Sequence, residues 1–142
     1  MLVADWWAKY RTRLFSRNLR NMLGETEVNA EIRLTLEQNP SAFWYFNNGV
    51  TLICRRAQRA MAGGTLRDVA TFHSDEISIV NGAQTVGTIG KFGETHPEKC
   101  ADVLVPLRII VRGEDVGFGD EVTKTNNRQN RIENRDFVAL DP

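Results

Sequence analysis

The tightest constraint on the fold is one junction. Glu76-Ile77-Ser78-Ile79-Val80 is a short β-branched run that passes without a linker through Asn81-Gly82 into Ala83-Gln84-Thr85-Val86. Apolar spacing then changes from the period of a strand to that of a helix, with Val86, Ile89, Gly90 and Phe92 recurring on one face to about Gly93. A strand that turns directly into an amphipathic helix requires a sheet with a helical layer on it, so an α/β or mixed α+β domain is expected. Gly87 and Gly90 weaken that helix by roughly 1 kcal/mol each relative to Ala unless close packing requires them.

The remaining patterns fit a small mixed sheet with flanking helices. Thr26 to Asn39 predicts a helix on Val28, Ile32, Leu34 and Leu36, closed by Asn39-Pro40. Val50 to Cys54 predicts a strand, extended by polar alternation to about Arg59. Gly63-Gly64 marks a turn and Thr65 to Phe72 a weaker strand, giving a hairpin or meander. Val103 to Val111 is the longest apolar run, and Pro106, which lacks an N–H, places it at a sheet edge or beside a bulge. After the loop glycines 113, 117 and 119, helices are expected over 120–127 and 133–140. The aromatic start and the end at Asp141-Pro142, directly after a helical pattern, suggest one domain, 1–142, that is a piece or a compact form of a longer protein.

Three amide-rich stretches stand at the ends of these elements: Asn47-Asn48-Gly49, Asn81-Gly82-Ala83-Gln84-Thr85 and Asn126-Asn127-Arg128-Gln129-Asn130. A carboxamide offers donors and an acceptor without charge, so such groups can read polar edges or hold turns. Asn81-Gly82 opens a helix whose first N–H groups suit phosphate, with Gln84 and Thr85 adding polar groups in the first turn. The bland alternative is a simple cap. Four carboxamides within five residues make a poor helix interior, because Asn competes for backbone hydrogen bonds. That stretch is therefore read as a helix-to-helix connection or as a recognition cluster anchored by Arg128. Phe43, Trp44, Tyr45 and Phe46 could stack on bases, but aromatics this dense are expected mostly in the core.

Charge narrows the partner class. Eighteen Lys and Arg balance eighteen Asp and Glu, which argues against binding nucleic acid through bulk charge. A local basic stretch, Lys9, Arg11, Arg13, Arg17 and Arg20, alternates with Tyr10, Leu14, Phe15 and Leu19 as in an amphipathic helix. Cys54 and Cys100 have no metal-ligand spacing, His73 and His96 are isolated, and no carboxylate pair compels a metal. Neither a cofactor nor a metal is expected. With no apolar leader and no run of about 18 apolar residues, a cytoplasmic protein without membrane partners is expected.

The same residues resemble a known family. Leu14-Phe15-Ser16-Arg17-Asn18-Leu19-Arg20, Val28-Asn29-Ala30-Glu31-Ile32 and Phe46-Asn47-Asn48-Gly49-Val50-Thr51 are similar to the opening blocks of the abortive-infection phage-resistance (AIPR) family. Ile79 to Val86 resembles its central motif, and Thr125 to Asn130 followed by Asp136-Phe137 its closing one. The resemblance implies a bacterial cytoplasmic protein of phage defence, acting with other defence proteins, whose biochemical activity is poorly defined. A more distant similarity to domains with an Asp-Gly-Gln-His-Arg motif, and to ParB-like and sulfiredoxin-like folds, implies a strand-glycine-helix element that binds nucleotide phosphates or DNA. The His-Arg pair of that element is absent here, so Arg128 or Arg17 would have to substitute.

Three functions follow as expectations. The first is a nucleic-acid- or nucleotide-binding module whose polar site joins Asn47, Asn48, Gly49, Asn81, Gly82, Gln84, Thr85, Asn126, Asn127, Arg128, Gln129 and Asn130, with Arg17 and Arg20 at its rim. The second is a metal-dependent nuclease or nucleotide hydrolase using carboxylates such as Glu31 or Asp136. The third is an interaction or sensor domain in which the amides are structural.

Overall fold

The computed structural model describes residues 2–15, 27–60 and 70–138, with side chains described as far as residue 128 except those of residues 2 and 12. The chain is a mixed α+β domain. Helix α1 (Leu2–Tyr10) leads into a 3-10 turn (Arg11–Leu14), and α2 (Glu27–Gln38) into a second (Pro40–Ala42) followed by the short α3 (Phe43–Phe46). Strands β1 (Val50–Cys54), β2 (Arg56–Arg59), β3 (Phe72–Asp75) and β4 (Ser78–Asn81) precede α4 (Ala83–Thr95) and the short α5 (Pro97–Cys100). Strand β5 (Leu107–Val111) and the long α6 (Val116–Val138) complete the order.

β1 is central in a three-stranded mixed sheet, antiparallel to β4 and parallel to β5. Its side chains alternate between two covered faces. Val50, Leu52 and Cys54, with Ile79 of β4, join the main core built by α1, α2 and α4. Ile53 and Val80 are buried but lie outside that cluster, on the opposite face. There α6 packs on β4 and an added Cβ at Gly119 would sit 3.5 Å from Ile53 Cδ1. β2 and β3 form a separate antiparallel pair, with Arg56 opposite Asp75 and Arg59 opposite Phe72. Arg55, at the bend between β1 and β2, ties this pair to the sheet. It reaches Asp75 at 3.5 Å, Glu76 at 3.2 Å and Glu114 at 3.6 Å.

Most sequence expectations hold in kind and shift in detail. α2 and β1 lie where their patterns put them, although Val28 and Leu34 are exposed and only Ile32 and Leu36 reach the core. β5 starts after Pro106 and occupies a sheet edge, as an imino acid requires. The strand expected over Thr65–Phe72 is displaced: residues 65–69 lie outside the described residues and β3 begins only at Phe72. The strand expected from Glu76 starts at Ser78, because Glu76 adopts φ 53° and bends the chain. The basic amphipathic helix over 9–20 is not formed as such. α1 ends at Tyr10, Arg11 turns the chain at φ 50°, and Arg17 and Arg20 lie outside the described residues.

Two further corrections concern the site. No helix-to-helix connection interrupts 116–138, which is one 23-residue helix running through the amide cluster. Asn126 fits because its Nδ2 donates to the Val122 carbonyl at 2.8 Å, turning a competitor of the helix into an internal bond. The aromatics of α3 are mostly outside the core: Phe43 is buried, but Trp44, Tyr45 and Phe46 are 49%, 81% and 71% exposed. Of the four consecutive rings only Phe43 turns inward.

Both thiols are inward. Burial pushes Cys54 above the usual thiol range, with a smaller push from the Asp75 carboxylate, and burial does the same to Cys100. We expect native protein to react slowly with a thiol reagent such as DTNB and denatured protein to release two equivalents at once. Fast reaction of the native chain would contradict the packing of both residues.

Candidate nucleic-acid interface

The junction that dominates the sequence is built by three close approaches. Gly82, the N-cap of α4, has φ 85°, a left-handed conformation that β-carbon-bearing residues adopt at a cost. An added Cβ there would lie 2.4 Å from the Gly49 carbonyl oxygen and 2.9 Å from Val50 Cα. Gly49 in turn has φ 81° and abuts the Pro106 carbonyl, to which the Val50 N–H donates at 2.9 Å. The loop before β1, the turn after β4 and the segment before β5 therefore meet backbone to backbone, at the same end of the sheet.

Side chains close this contact. The Gly49 N–H donates to Asn47 Oδ1 at 2.8 Å, and Asn47 Nδ2 donates to Thr85 Oγ1 at 3.2 Å. The same hydroxyl lies 3.2 Å from Asn47 Oδ1. Asn47 thus clasps its own loop to the first turn of α4, and Thr85 is buried to hold it. Gly82 supplies no side chain to cap α4, whose first internal bond is from the Val86 N–H to the Gly82 carbonyl. The α4 terminus consequently keeps its positive end in the neighbourhood of Asn48, which is exposed, and Gln84, which is half-buried.

Two of the three expected amide stretches are thus brought together. The third is placed on α6, whose residue Asn126 bonds within its own helix, while Arg128 is exposed. Both polar atoms of the Asn127 amide are buried with no hydrogen-bond partner among the described residues. Side chains of Gln129, Asn130 and Asp136 lie outside the described ones. No group of three or more His, Cys, Asp or Glu side chains arranged to hold a metal ion occurs among the described residues. Glu31 stands exposed on α2.

The profile of the family described as AIPR protein matches residues 15–142. The chain belongs to the AIPR family. That membership associates it with abortive infection and phage resistance. No curated protein and no solved structure matches the chain. No helix among the described residues is long and apolar enough to cross a membrane. In this AIPR domain the matched region begins at Phe15, so it takes in the Asn47 clasp, the Gly82 turn and the amides of α6, and leaves out α1.

Sequence reasoning undervalued two groups here. Tyr45 and Phe46 stand exposed immediately before Asn47, where aromatic density suggested core. Pro106 supports Gly49 through its backbone, and no local signal connects residues so far apart in the chain.

Proposed function

We propose that this AIPR domain is a nucleic-acid-binding module of an abortive-infection defence, with single strands as its ligand. The observation that carries this reading is the Asn47–Thr85 clasp, which joins two amide motifs at the N-terminus of α4, where Gly82 provides no side-chain cap. Backbone N–H groups at that end suit a phosphate. Asn48 and Gln84 add polar groups, and the exposed rings of Tyr45 and Phe46 next to them offer stacking faces. Stacking needs unpaired bases, which selects single strands over duplex.

Helix geometry supports including the third motif. α6 packs on β4, and Gly119 stands against Ile53, which pairs with Ser78. From Gly119 to Asn126 the helix rises about 10 Å, and β4 climbs about the same distance from Ser78 to Asn81. On this reading α6 runs along β4 and carries Asn126, Asn127 and Arg128 level with the Gly82 turn, with Arg128 as the cation near the phosphates. Gln129, Asn130, Arg17 and Arg20 belong to the same reading as further contacts.

Fluorescence anisotropy with short single-stranded DNA and RNA tests it. Tyr45→Ala and Phe46→Ala should each weaken binding by about 1–3 kcal/mol and change stability by no more than about 0.5 kcal/mol, as exposed substitutions do. Asn48→Ala should also weaken binding. A wild-type domain that binds no single strand would end the reading, as would variants that all bind alike.

A second reading has one observation in its favour. Asn47 spends both ends of its amide inside the protein, as a sensor or interaction domain with structural amides would require. Unchanged binding by Asn48→Ala together with unchanged binding by Tyr45→Ala would favour it.

A further inference from the structure

A second place in the molecule has the features of a small-ligand site and lies apart from the amide motifs. A cleft of about 220 Å³ opens between α1 with its following turn and the bend between β3 and β4, lined by Trp6, Tyr10, Arg13, Ser74 and Glu76 among others. Its α1 wall precedes the family-matched region, and its other wall lies within it. Of the two non-glycine residues with left-handed φ among those described, Glu76 at 53° lines the cleft and Arg11 at 50° lies between the lining residues Tyr10 and Arg13. Such conformations persist where surrounding structure enforces them. Here the first ends α1 and turns Arg13 toward the cleft, and the second turns Glu76 out of the strand direction into it.

The lining chemistry is specific. Trp6, which also packs against the core, and Tyr10, which has Lys9 Nζ 5.0 Å from its ring centroid, supply aromatic lining. Arg13 is exposed and makes no ion pair among the described residues, whereas its neighbour Arg11 is engaged by Glu94 and by the Trp7 ring. Glu76 is paired with Arg55 and Arg112, and its oxygens have lone pairs for further donors. Ser74 adds a hydroxyl. The volume falls below the about 300–1,000 Å³ of pockets that take drug-sized molecules, so one ring system with one charged group is the fitting size.

The geometry points to a binding site for a nucleoside monophosphate whose base carries an exocyclic amino group. The base stacks on Trp6 and Tyr10, its amino group donates to Glu76, and its phosphate pairs with Arg13. Arg13, the cation among the described lining residues, suits a single phosphate, and a carboxylate acceptor favours amino-bearing bases over uracil. The site does not depend on the amide interface.

Calorimetric titration of the whole chain with AMP, GMP, CMP, UMP, adenosine and inorganic phosphate tests the inference. Saturable binding of at least one amino-bearing monophosphate is expected, with UMP, adenosine and phosphate at least tenfold weaker. Arg13→Gln should weaken that binding at least tenfold while leaving single-strand binding and the unfolding midpoint unchanged. Tyr10→Ala should weaken it too, and Asn48→Ala should leave it unchanged. Absence of heat with every mononucleotide would overturn the inference, as would undiminished binding by Arg13→Gln. Binding that Asn48→Ala abolishes and Arg13→Gln spares would assign the nucleotide to the amide interface and overturn it equally.

Discussion

Gly82→Ala should lower the stability of this domain by about 2–5 kcal/mol. One part is conformational: a β-carbon in the left-handed region costs about 1–2 kcal/mol, and Gly82 sits at φ 85°. The other part is contact. The new methyl would lie 2.4 Å from a backbone oxygen and 2.9 Å from a backbone carbon, neither of which can swing away as a side-chain end can. Relief requires moving the Gly49 loop, which is itself fixed by the Asn47 clasp and by Pro106, and forced shifts of this kind cost about 1–3 kcal/mol. Urea unfolding measures the sum. Gly117→Ala is the control: it has no positive φ, its nearest neighbour, Asp115 Oδ1, would be 3.4 Å away, and it lies in the first turn of α6. It should be neutral or stabilising by up to about 1 kcal/mol. A loss below 1 kcal/mol for Gly82→Ala would contradict the close approach of the two amide loops.

Gly90→Ala sets two effects of opposite sign against each other. Alanine in a helix interior gains about 1 kcal/mol over glycine, and Gly90 is inside α4. Its Cβ, however, would lie 2.1 Å from Trp7 Cγ and 2.5 Å from Trp7 Cβ. Trp7 is 7% exposed and packs against Phe15 at 6.4 Å between ring centroids, so the indole has little room to retreat. Overpacking at the upper end of its about 1–3 kcal/mol range exceeds the propensity gain, and a net loss of about 2 kcal/mol follows. The cause is checked by a double-mutant cycle. Trp7→Leu should cost clearly less in the Gly90→Ala background than in the parent, because the shorter side chain relieves the clash. Additive losses would mean that α1 and α4 do not meet at this point.

The legible parts of this fold are those governed by neighbours in sequence. β1, α2 and the β4–Gly82–α4 junction follow from periodicity and from a glycine where strand passes into helix, which turns left-handed there. That Gly90 needs to be small was legible as a condition, close packing, without its partner Trp7. The misplacements have equally physical causes. The amide cluster was expected to end a helix near Asn127, but the helix runs on to Val138 and the Asn126 amide finds an acceptor one turn back. The rings of α3 were expected mostly inside, but density along the chain does not say how many of them face the core. Glu76 bends the chain through a positive φ that no residue type advertises. The meeting of Gly49 with Gly82 and Pro106 depends on strand register across the sheet, which local patterns do not encode.

The central claim is that amides distant in the chain act on one ligand. Two-dimensional ¹H–¹⁵N NMR during titration with a short single-stranded oligonucleotide tests it most directly, through side-chain NH₂ signals of Asn48 and Gln84 and the Nε–H of Arg128. The account predicts that all three signals shift together and fit one dissociation constant. Shifts confined to one of the three motifs, or falling elsewhere on the domain, would contradict it.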